Sequence, residues 1–440
     1  MSNLDNIIEP TIEWLKKGEK IAIATVISTW GSSPRQVGGQ MAINQKSEII
    51  GSVSGGCVEN AVIAESLESI KDMHVEITNR CNAACPMCAR NHFGGATKKD
   101  LRLDEWSTED VRRIFDPRLK NLENVMFCGT HGDPVVADNS LIAINHIKHS
   151  TDATVEFYSN ASLRKPTWWR ELGSLMSTKK PDHWHYNKHD LAIFSIDGLE
   201  DTNHLYRRKT NFKNIIKNAE AFIGAGGFAR WDFIVFKHNQ HQVEEAKKLA
   251  DEMGFKEFRI RKTARFTYSP DGPMKWRVQD KHKNIEYYLQ PPTDKNYYNA
   301  EQDKWTEITK TDEGKNDYLN NTKISCLYKN KFRRIYVNAY ADVFPCCYIS
   351  NDVYPGKNSI VKDSQQKIFD RYQKHFNSLR HHSWDDILEH EWFANEIENS
   401  WNTNLEGGRL MRCARTCGAG FKPITTQSHT QKINSVSTVS

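Results

Sequence analysis

Three cysteines lie within eight residues, at a spacing that suits an iron–sulfur cluster. Cys81, Cys85 and Cys88 follow the pattern C-x3-C-x2-C. Thiolates are the usual protein ligands of such clusters, and a cubane cluster contains four irons. Three cysteines therefore leave one iron without a protein ligand, and an open coordination position is typical of catalytic metal sites. The alternative is a zinc site or a chance group of thiols, although zinc sites usually show paired C-x2-C spacings.

The residues before the cysteines predict a strand that begins a longer alternation of strands and helices. Met73, Val75 and Ile77 alternate with polar residues, which is typical of a half-buried strand. The cysteines therefore lie on the loop after its C-terminal end. Strand-like and helix-like segments then alternate as far as residue 266, and about six such units predict an α/β fold with a parallel sheet. The later predicted strands cover residues 125–128, 154–158, 191–196, 231–236 and 258–261.

Glycines and polar residues follow three of these predicted strands. They are Gly129, Gly132, Asp133, Asn160, Ser195 and Asp197. In parallel α/β barrels the chemistry lies on the loops after the strands. Each position also has a simpler interpretation, since Asp133 could cap a helix and Asp197 could belong to a turn. A basic segment at residues 204–209 could face an anionic or peptide substrate, or could form a solvated turn.

The cysteine spacing after a strand resembles the signature of the radical S-adenosylmethionine (SAM) enzymes. The resemblance implies a partial (βα)6 barrel and a [4Fe-4S] cluster held by Cys81, Cys85 and Cys88, with SAM on the remaining iron. It implies an oxidoreductase that cleaves SAM to a 5′-deoxyadenosyl radical and abstracts hydrogen from an unidentified substrate, a peptide or a small metabolite. An electron donor such as flavodoxin or ferredoxin is the implied partner. The family often has an aromatic residue where this chain has Met87.

The same resemblance implies where SAM would bind. Residues 129–134 resemble the family's Gly-Gly-Glu-Pro stretch, which contacts the SAM amino group, and Asp133 supplies the acid here. Asn160 lies in a stretch similar to the family's Thr-Asn-Gly, and Ser195 and Asp197 end the strand where the family places groups near the ribose or the substrate. A carboxylate suits an ammonium group, and hydroxyl and amide groups suit a ribose.

A second group of cysteines lies near the C-terminus. Cys326, Cys346, Cys413 and Cys417 are enough to hold another cluster, and Cys347 could replace Cys346. Residues 319–420 resemble the twitch module, a shortened SPASM domain that follows many radical SAM cores, which implies an auxiliary iron–sulfur cluster. Zinc is the alternative metal. Residues 267–318 are interpreted as a linker or insertion, and residues 421–440 as a disordered tail.

Residues 1–72 form a separate opening segment. The stretches 29–34 and 51–59, with Gly38 and Met41, resemble the N-terminal part of the XdhC/CoxI family, accessory proteins of molybdenum hydroxylases. The resemblance implies a role for Cys57 in handling the molybdenum cofactor, whereas a tight turn with a small buried thiol is the simpler interpretation. A gene fusion, or a misjoined reading frame with the true start at Met73, would both give this junction.

Composition limits the other function classes. The chain has 440 residues and a net charge of +5, which does not indicate nucleic acid. No apolar run is long enough for a membrane span, and no signal peptide is apparent. Ten cysteines without a secretory signal predict metal or redox use in a reducing compartment, the cytoplasm. Two other classes remain open: a non-catalytic metal-binding module and a molybdenum-cofactor accessory protein.

Overall fold

The chain divides into two units, Met1–Leu67 and Glu68–Ser440. The computed structural model describes residues 7–19, 21–25, 40–44, 49–51, 70–179, 188–353, 371–420 and 428–432. In the first unit, helix Ile8–Lys16 accompanies an antiparallel sheet of β1 (Ile21–Thr25), β2 (Gln40–Asn44) and β3 (Ile49–Gly51). Ile7, Trp14 and Ala42 are buried together there. Residues 29–34, Gly38 and Cys57, which carry most of the predicted N-terminal resemblance, lie outside the described residues.

The second unit is built on one mostly parallel sheet, which confirms the predicted fold class. Its strand order is β13-β12-β4-β5-β6-β7-β8-β9-β14. The strands from β12 to β9 in this order are parallel, and the two edge strands are antiparallel to their neighbours. The strands are β4 (Asp72–Val75), β5 (Asn124–Phe127), β6 (Thr154–Ser159), β7 (Leu191–Ser195), β8 (Ala229–Ile234), β9 (Glu257–Arg261), β12 (Arg334–Val337), β13 (Val343–Phe344) and β14 (Ser428–Lys432).

One face of this sheet is apolar and is covered by helices. Trp169 packs against Phe157 of β6 and Phe194 of β7, and Phe222 packs against the same Phe194. The helices that alternate with the strands are Thr108–Ile114, Ser140–Ser150, Pro166–Leu175, Asn203–Tyr206, Phe212–Gly224 and Val243–Glu252. Because side chains alternate along a strand, the other face carries polar residues such as Glu76 and Asp232, and these are buried too.

Residues 267–318 form ordered elements, where the sequence predicts a linker or insertion. They contain a hairpin of β10 (Trp276–Gln279) and β11 (Ile285–Leu289), followed by helices Glu301–Ile308 and Asp312–Asn321. The helices that follow in the C-terminal part are Cys347–Val353, Trp384–Glu389, Ile397–Asn399 and Met411–Cys417.

Both edges of the parallel sheet are closed by later parts of the chain. β12 from the predicted auxiliary module pairs with β4 of the core. β14 pairs with β9, so residues 428–432 differ from the predicted disordered tail. The physical reason is that an edge strand presents unpaired backbone groups, which even a polar segment can satisfy. Among the described residues, no helix has the length and apolar character needed to cross a membrane.

Candidate functional site

The three cysteines of the C-x3-C-x2-C pattern share one apolar environment on the loop after β4. Cys85 is buried, whereas Cys81 and Cys88 are half-buried, and none forms a disulfide. The loop turns tightly, since the Cys88 N–H donates to the Cys85 carbonyl at 3.0 Å. All three cysteines pack against a single buried cluster, which we call the loop cluster: Ala83, Tyr206, Ile234, Phe236, Phe266, Val278 and Leu289.

This donor set fits an iron–sulfur cluster. Burial raises the pKa of Cys81, and Asp133 and the other two thiols raise it further. Burial also raises the pKa of Cys85, although the guanidinium of Arg207 opposes this. Across the described part of the chain, no three His, Cys, Asp or Glu side chains converge on one metal ion. Each ligand of a cubane binds a different iron, so the three thiols need not converge on one metal ion, and cysteine thiolates are the usual protein donors.

Asp133 and Asn160, from the loops after β5 and β6, meet beside Cys81. Oδ2 of Asp133 accepts from the Asn160 backbone N–H at 2.8 Å and from Asn160 Nδ2 at 2.6 Å. Asn160 Nδ2 also lies 3.8 Å from Cys81 Sγ and 3.0 Å from Asn82 Oδ1. Burial raises the pKa of Asp133. The structure therefore brings together three residues that the sequence placed on successive loops.

Gly129 and Gly132 are required by close backbone packing. A Cβ on Gly129 would lie 2.1 Å from the Gly132 carbonyl oxygen, and a Cβ on Gly132 would lie 1.8 Å from the Thr78 carbonyl oxygen. Any larger residue would push the loop after β5 away from the end of β4. The predicted contact of these glycines with SAM remains a prediction.

Glu76 holds this glycine loop and was missed by the sequence reasoning. Its Oε1 accepts from the N–H groups of His131 at 2.6 Å and Gly132 at 2.9 Å. Its Oε2 accepts from the hydroxyl of Tyr336 on β12 at 2.8 Å. The sequence contains one signal that could have identified Glu76: it is a carboxylate at a polar position of the predicted strand that leads directly into the cysteines.

The carboxylate of Asp197 is committed to protein contacts, whereas the Ser195 hydroxyl makes no hydrogen bond within the part of the chain that the structure describes. Asp197 is fully buried, and its carboxylate accepts from Arg207 Nε at 2.6 Å and from the Ile234 N–H at 2.6 Å. Arg207 Nη1 lies 3.8 Å from Cys85 Sγ. The basic segment 204–209 therefore contributes Arg207 and the buried Tyr206 to the surroundings of the cysteine loop, beyond the solvated turn considered from the sequence. Ser195 is half-buried at the end of β7, two residues before Asp197.

The β10–β11 hairpin covers the cysteine loop. Trp276 Nε1 donates to the Pro86 carbonyl at 3.1 Å, and the Gln279 N–H donates to the Phe93 carbonyl at 2.9 Å. Val278 and Leu289 of the hairpin belong to the loop cluster. A segment interpreted from the sequence as a linker thus shields the site.

The four C-terminal cysteines are also close to one another. A hydrogen bond from Cys417 lowers the pKa of Cys326 to about 7. Burial raises the pKa of Cys413, and the thiols of Cys346 and Cys326 raise it further. Cys347 has different surroundings. Burial raises its pKa to about 12, and the thiol of Cys128, directly after β5, also acts to raise it. The choice between Cys346 and Cys347 as the fourth member stays a prediction.

Comparison with protein families agrees with the N-terminal resemblance. The model of the XdhC and CoxI family matches residues 14–78, which confirms the N-terminal resemblance over that range. No curated protein matches the chain by sequence.

The similar solved structures include three proteins with low sequence identity to this chain. SuiB of Streptococcus suis bound to the precursor peptide SuiA is 15% identical, with 81% of this chain and 73% of that chain covered and a TM-score of 0.45. Native anSMEcpe with bound AdoMet and Cp18Cys peptide is 15% identical, with 79% and 88% covered and a TM-score of 0.40. BtrN in complex with AdoMet and 2-DOIA is 10% identical, with 78% and 92% covered and a TM-score of 0.38.

Proposed function

We propose that this chain is a radical SAM enzyme that abstracts hydrogen from a peptide or a small metabolite. One observation carries the proposal: Cys81, Cys85 and Cys88 share a loop and an apolar shell, and Asn160, which is hydrogen bonded to Asp133 of the neighbouring loop, reaches Cys81. A cluster ligand set beside a buried carboxylate and amide suits a cofactor that offers both a sulfonium and an ammonium group.

The protein's own residues would bind, orient and protect the reactants. When bound and reduced, a [4Fe-4S] cluster would supply the electron for the cleavage of SAM to methionine and a 5′-deoxyadenosyl radical. Cys81, Cys85 and Cys88 would hold that cluster, and Asp133 would accept hydrogen bonds from the SAM ammonium group. The loop cluster and the β10–β11 hairpin exclude water from the loop, which favours a radical over side reactions.

A second cluster would be held by Cys326, Cys346, Cys413 and Cys417. It would relay electrons or contact the substrate, and a flavodoxin or ferredoxin would be the external donor. The mutual proximity of these four thiols supports the assignment.

The test is anaerobic reconstitution followed by SAM cleavage. Wild-type protein should bind about two clusters by iron and sulfide analysis and should release 5′-deoxyadenosine when given SAM and dithionite. Cys81→Ala should lose one cluster and all of the deoxyadenosine. Cys128→Ala, a matched control outside both cysteine groups, should retain both. Equal deoxyadenosine from Cys81→Ala and wild type would show that the function is wrong, and zinc in the anaerobically purified protein would favour a non-catalytic module.

The family match over residues 14–78 favours a second candidate function for the first unit, a role in handling the molybdenum cofactor. Cys57 would then be its reactive residue. Molybdopterin that co-purifies with wild-type protein and is lost from Cys57→Ser would support this role. Its absence from the wild type would count against it.

A further inference from the structure

Arg207 is a mostly buried cation that reaches one of the three predicted ligand sulfurs. Its Nη1 lies 3.8 Å from Cys85 Sγ, and its side chain is only 17% exposed. Asn160 and the Ala83 N–H approach Cys81 instead, at 3.8 Å and 3.4 Å. In the described ranges, Arg207 is the one charged side chain that hydrogen bonds to any of the three sulfurs.

The surroundings of Arg207 fix its guanidinium in this place. Nε donates to Asp197 Oδ2 at 2.6 Å, and Asp197 is itself held by the Ile234 N–H. The Arg207 N–H donates to the Asn203 carbonyl at 2.7 Å, and Asn203 Oδ1 accepts from the Asp197 N–H at 2.9 Å. Withdrawing the guanidinium would leave the Asp197 carboxylate buried without its partner, which is strongly unfavourable.

The turn that carries Arg207 is also attached to the cysteine loop. The Ala84 N–H donates to the carbonyl of Arg208 at 3.0 Å. Ala84 lies between Cys81 and Cys85, so the guanidinium and the sulfur it approaches are positioned by one continuous set of backbone and side-chain contacts. The distance between them is therefore a property of the fold and not of a free surface side chain.

We propose that Arg207 sets the reduction potential of the cluster bound by this loop, and that Asp197 is the positioning residue that holds Arg207 against Cys85. The proposal rests on the proposed function and deepens it. The potential of an iron–sulfur cluster depends on nearby charge, on hydrogen bonds to its sulfurs and on exposure. Reduction adds one electron from the external donor to the cluster, and a cation beside a ligand sulfur stabilises that more negative state.

The charge of Arg207 is retained throughout this step, because a guanidinium is not deprotonated in proteins. No bond is made or broken at Arg207, and its contribution is electrostatic. Burial strengthens the effect, since buried charges are screened much less than exposed ones. This assignment also gives Asp197 a role different from the predicted contact with SAM.

The experiment is a redox titration of the reconstituted full-length protein without SAM, followed by electron paramagnetic resonance. The signal that changes when SAM is added afterwards identifies the first cluster. Arg207→Gln should move its midpoint potential to a more negative value, and Arg207→Lys should give a smaller shift because the charge is retained. Arg208→Gln is the matched control, because Arg208 pairs with Glu286 away from the sulfurs. It should titrate like wild type.

An unchanged midpoint potential in Arg207→Gln, at wild-type iron and sulfide content, would overturn the proposal. If that variant does not retain its cluster, the double variant Asp197→Asn/Arg207→Gln removes the ion pair without leaving a buried charge. It should shift the potential in the same direction by a smaller amount, and no shift would again overturn the proposal. A wild-type protein that binds no cluster would overturn the proposed function as well, so the two failures are distinguishable.

Discussion

Glu76 supports the proposed SAM loop through buried hydrogen bonds, so its removal should have a measurable cost. Glu76→Ala would leave the His131 and Gly132 N–H groups and the Tyr336 hydroxyl without their acceptor. An unsatisfied buried donor costs about 1–3 kcal/mol. We expect urea unfolding to show a loss of about 2 kcal/mol or more, together with weaker SAM binding. Glu76→Gln keeps one acceptor oxygen and should lose less; equal losses from the two variants would contradict this role.

His74, on the polar face of β4, should make the protein acid-sensitive. Burial, aided by nearby Arg334, lowers the pKa of His74 to about 3 from 6.5. The folded state therefore binds the proton less readily than the unfolded chain, so stability is complete above pH 6.5 and declines as the pH falls towards 3. Between pH 6.5 and 4.5 the loss is about 2–3 kcal/mol.

The measurement that isolates His74 is urea unfolding of metal-free wild type and His74→Gln at pH 7 and pH 4.5. The glutamine amide can still donate to the Cys128 carbonyl that His74 contacts. We expect the variant to lose less stability on acidification than wild type. Other buried groups, such as Asp72, titrate in both proteins and cancel in the comparison. Identical pH dependence in the two proteins would show that His74 does not resist protonation.

The grouping of the three cysteines and the loops after the strands could be predicted, because cysteine spacing and hydrophobic periodicity are local properties of the sequence. The pairing of Asp197 with Arg207 and Ile234 could not, because it joins two loops and a neighbouring strand. The same limit applies to Glu76, whose three donors come from the loop after β5 and from β12. A buried carboxylate has no sequence pattern that names its partners.

At the level of elements, the β10–β11 hairpin has a function that can be tested apart from the fold. Trp276 donates to Pro86 in the cysteine loop, whereas Tyr288 of the same hairpin is 43% exposed. Trp276→Ala should speed the loss of cluster absorbance in air, because solvent and oxygen then reach the loop. Tyr288→Ala is the matched control and should lose its cluster at the wild-type rate. Equal rates in all three proteins would mean that the hairpin is not a shield.

The parallel strands β4 to β9 were predictable because each repeats a short apolar run followed by a helix. The hairpin β10–β11 and the pairing partner of β12 were not. The hairpin residues between 276 and 289 are mostly polar or aromatic, and no local pattern in them indicates the contacts with the cysteine loop and the loop cluster. β12 pairs with β4 across a long stretch of sequence, and no local pattern specifies such a partner.

At the scale of the whole molecule, the predicted auxiliary module is continuous with the core. Arg334 of β12 pairs with the buried Asp72 of β4. Trp106 Nε1 donates to the Asn338 carbonyl at 2.8 Å, and Trp384 Nε1 donates to the Ile114 carbonyl at 3.2 Å. The C-terminal part therefore completes the sheet and the core, which explains why it belongs to the same unit as the cysteine loop.

Two truncations should consequently behave very differently. A chain that begins at Glu68 keeps the whole second unit, so we expect it to bind clusters and to unfold within a few degrees of the full-length protein.

A chain that ends at residue 318 loses β12, which exposes β4 as an edge and leaves Asp72 buried without Arg334. Removing one partner of a buried ion pair costs about 3–5 kcal/mol, and an exposed edge promotes aggregation. We expect this second protein to be insoluble or unfolded by circular dichroism. A folded 1–318 chain would contradict this division, because the core would then not depend on the C-terminal strands. Loss of the clusters from the 68–440 chain would also contradict it, because the site would then depend on the first unit.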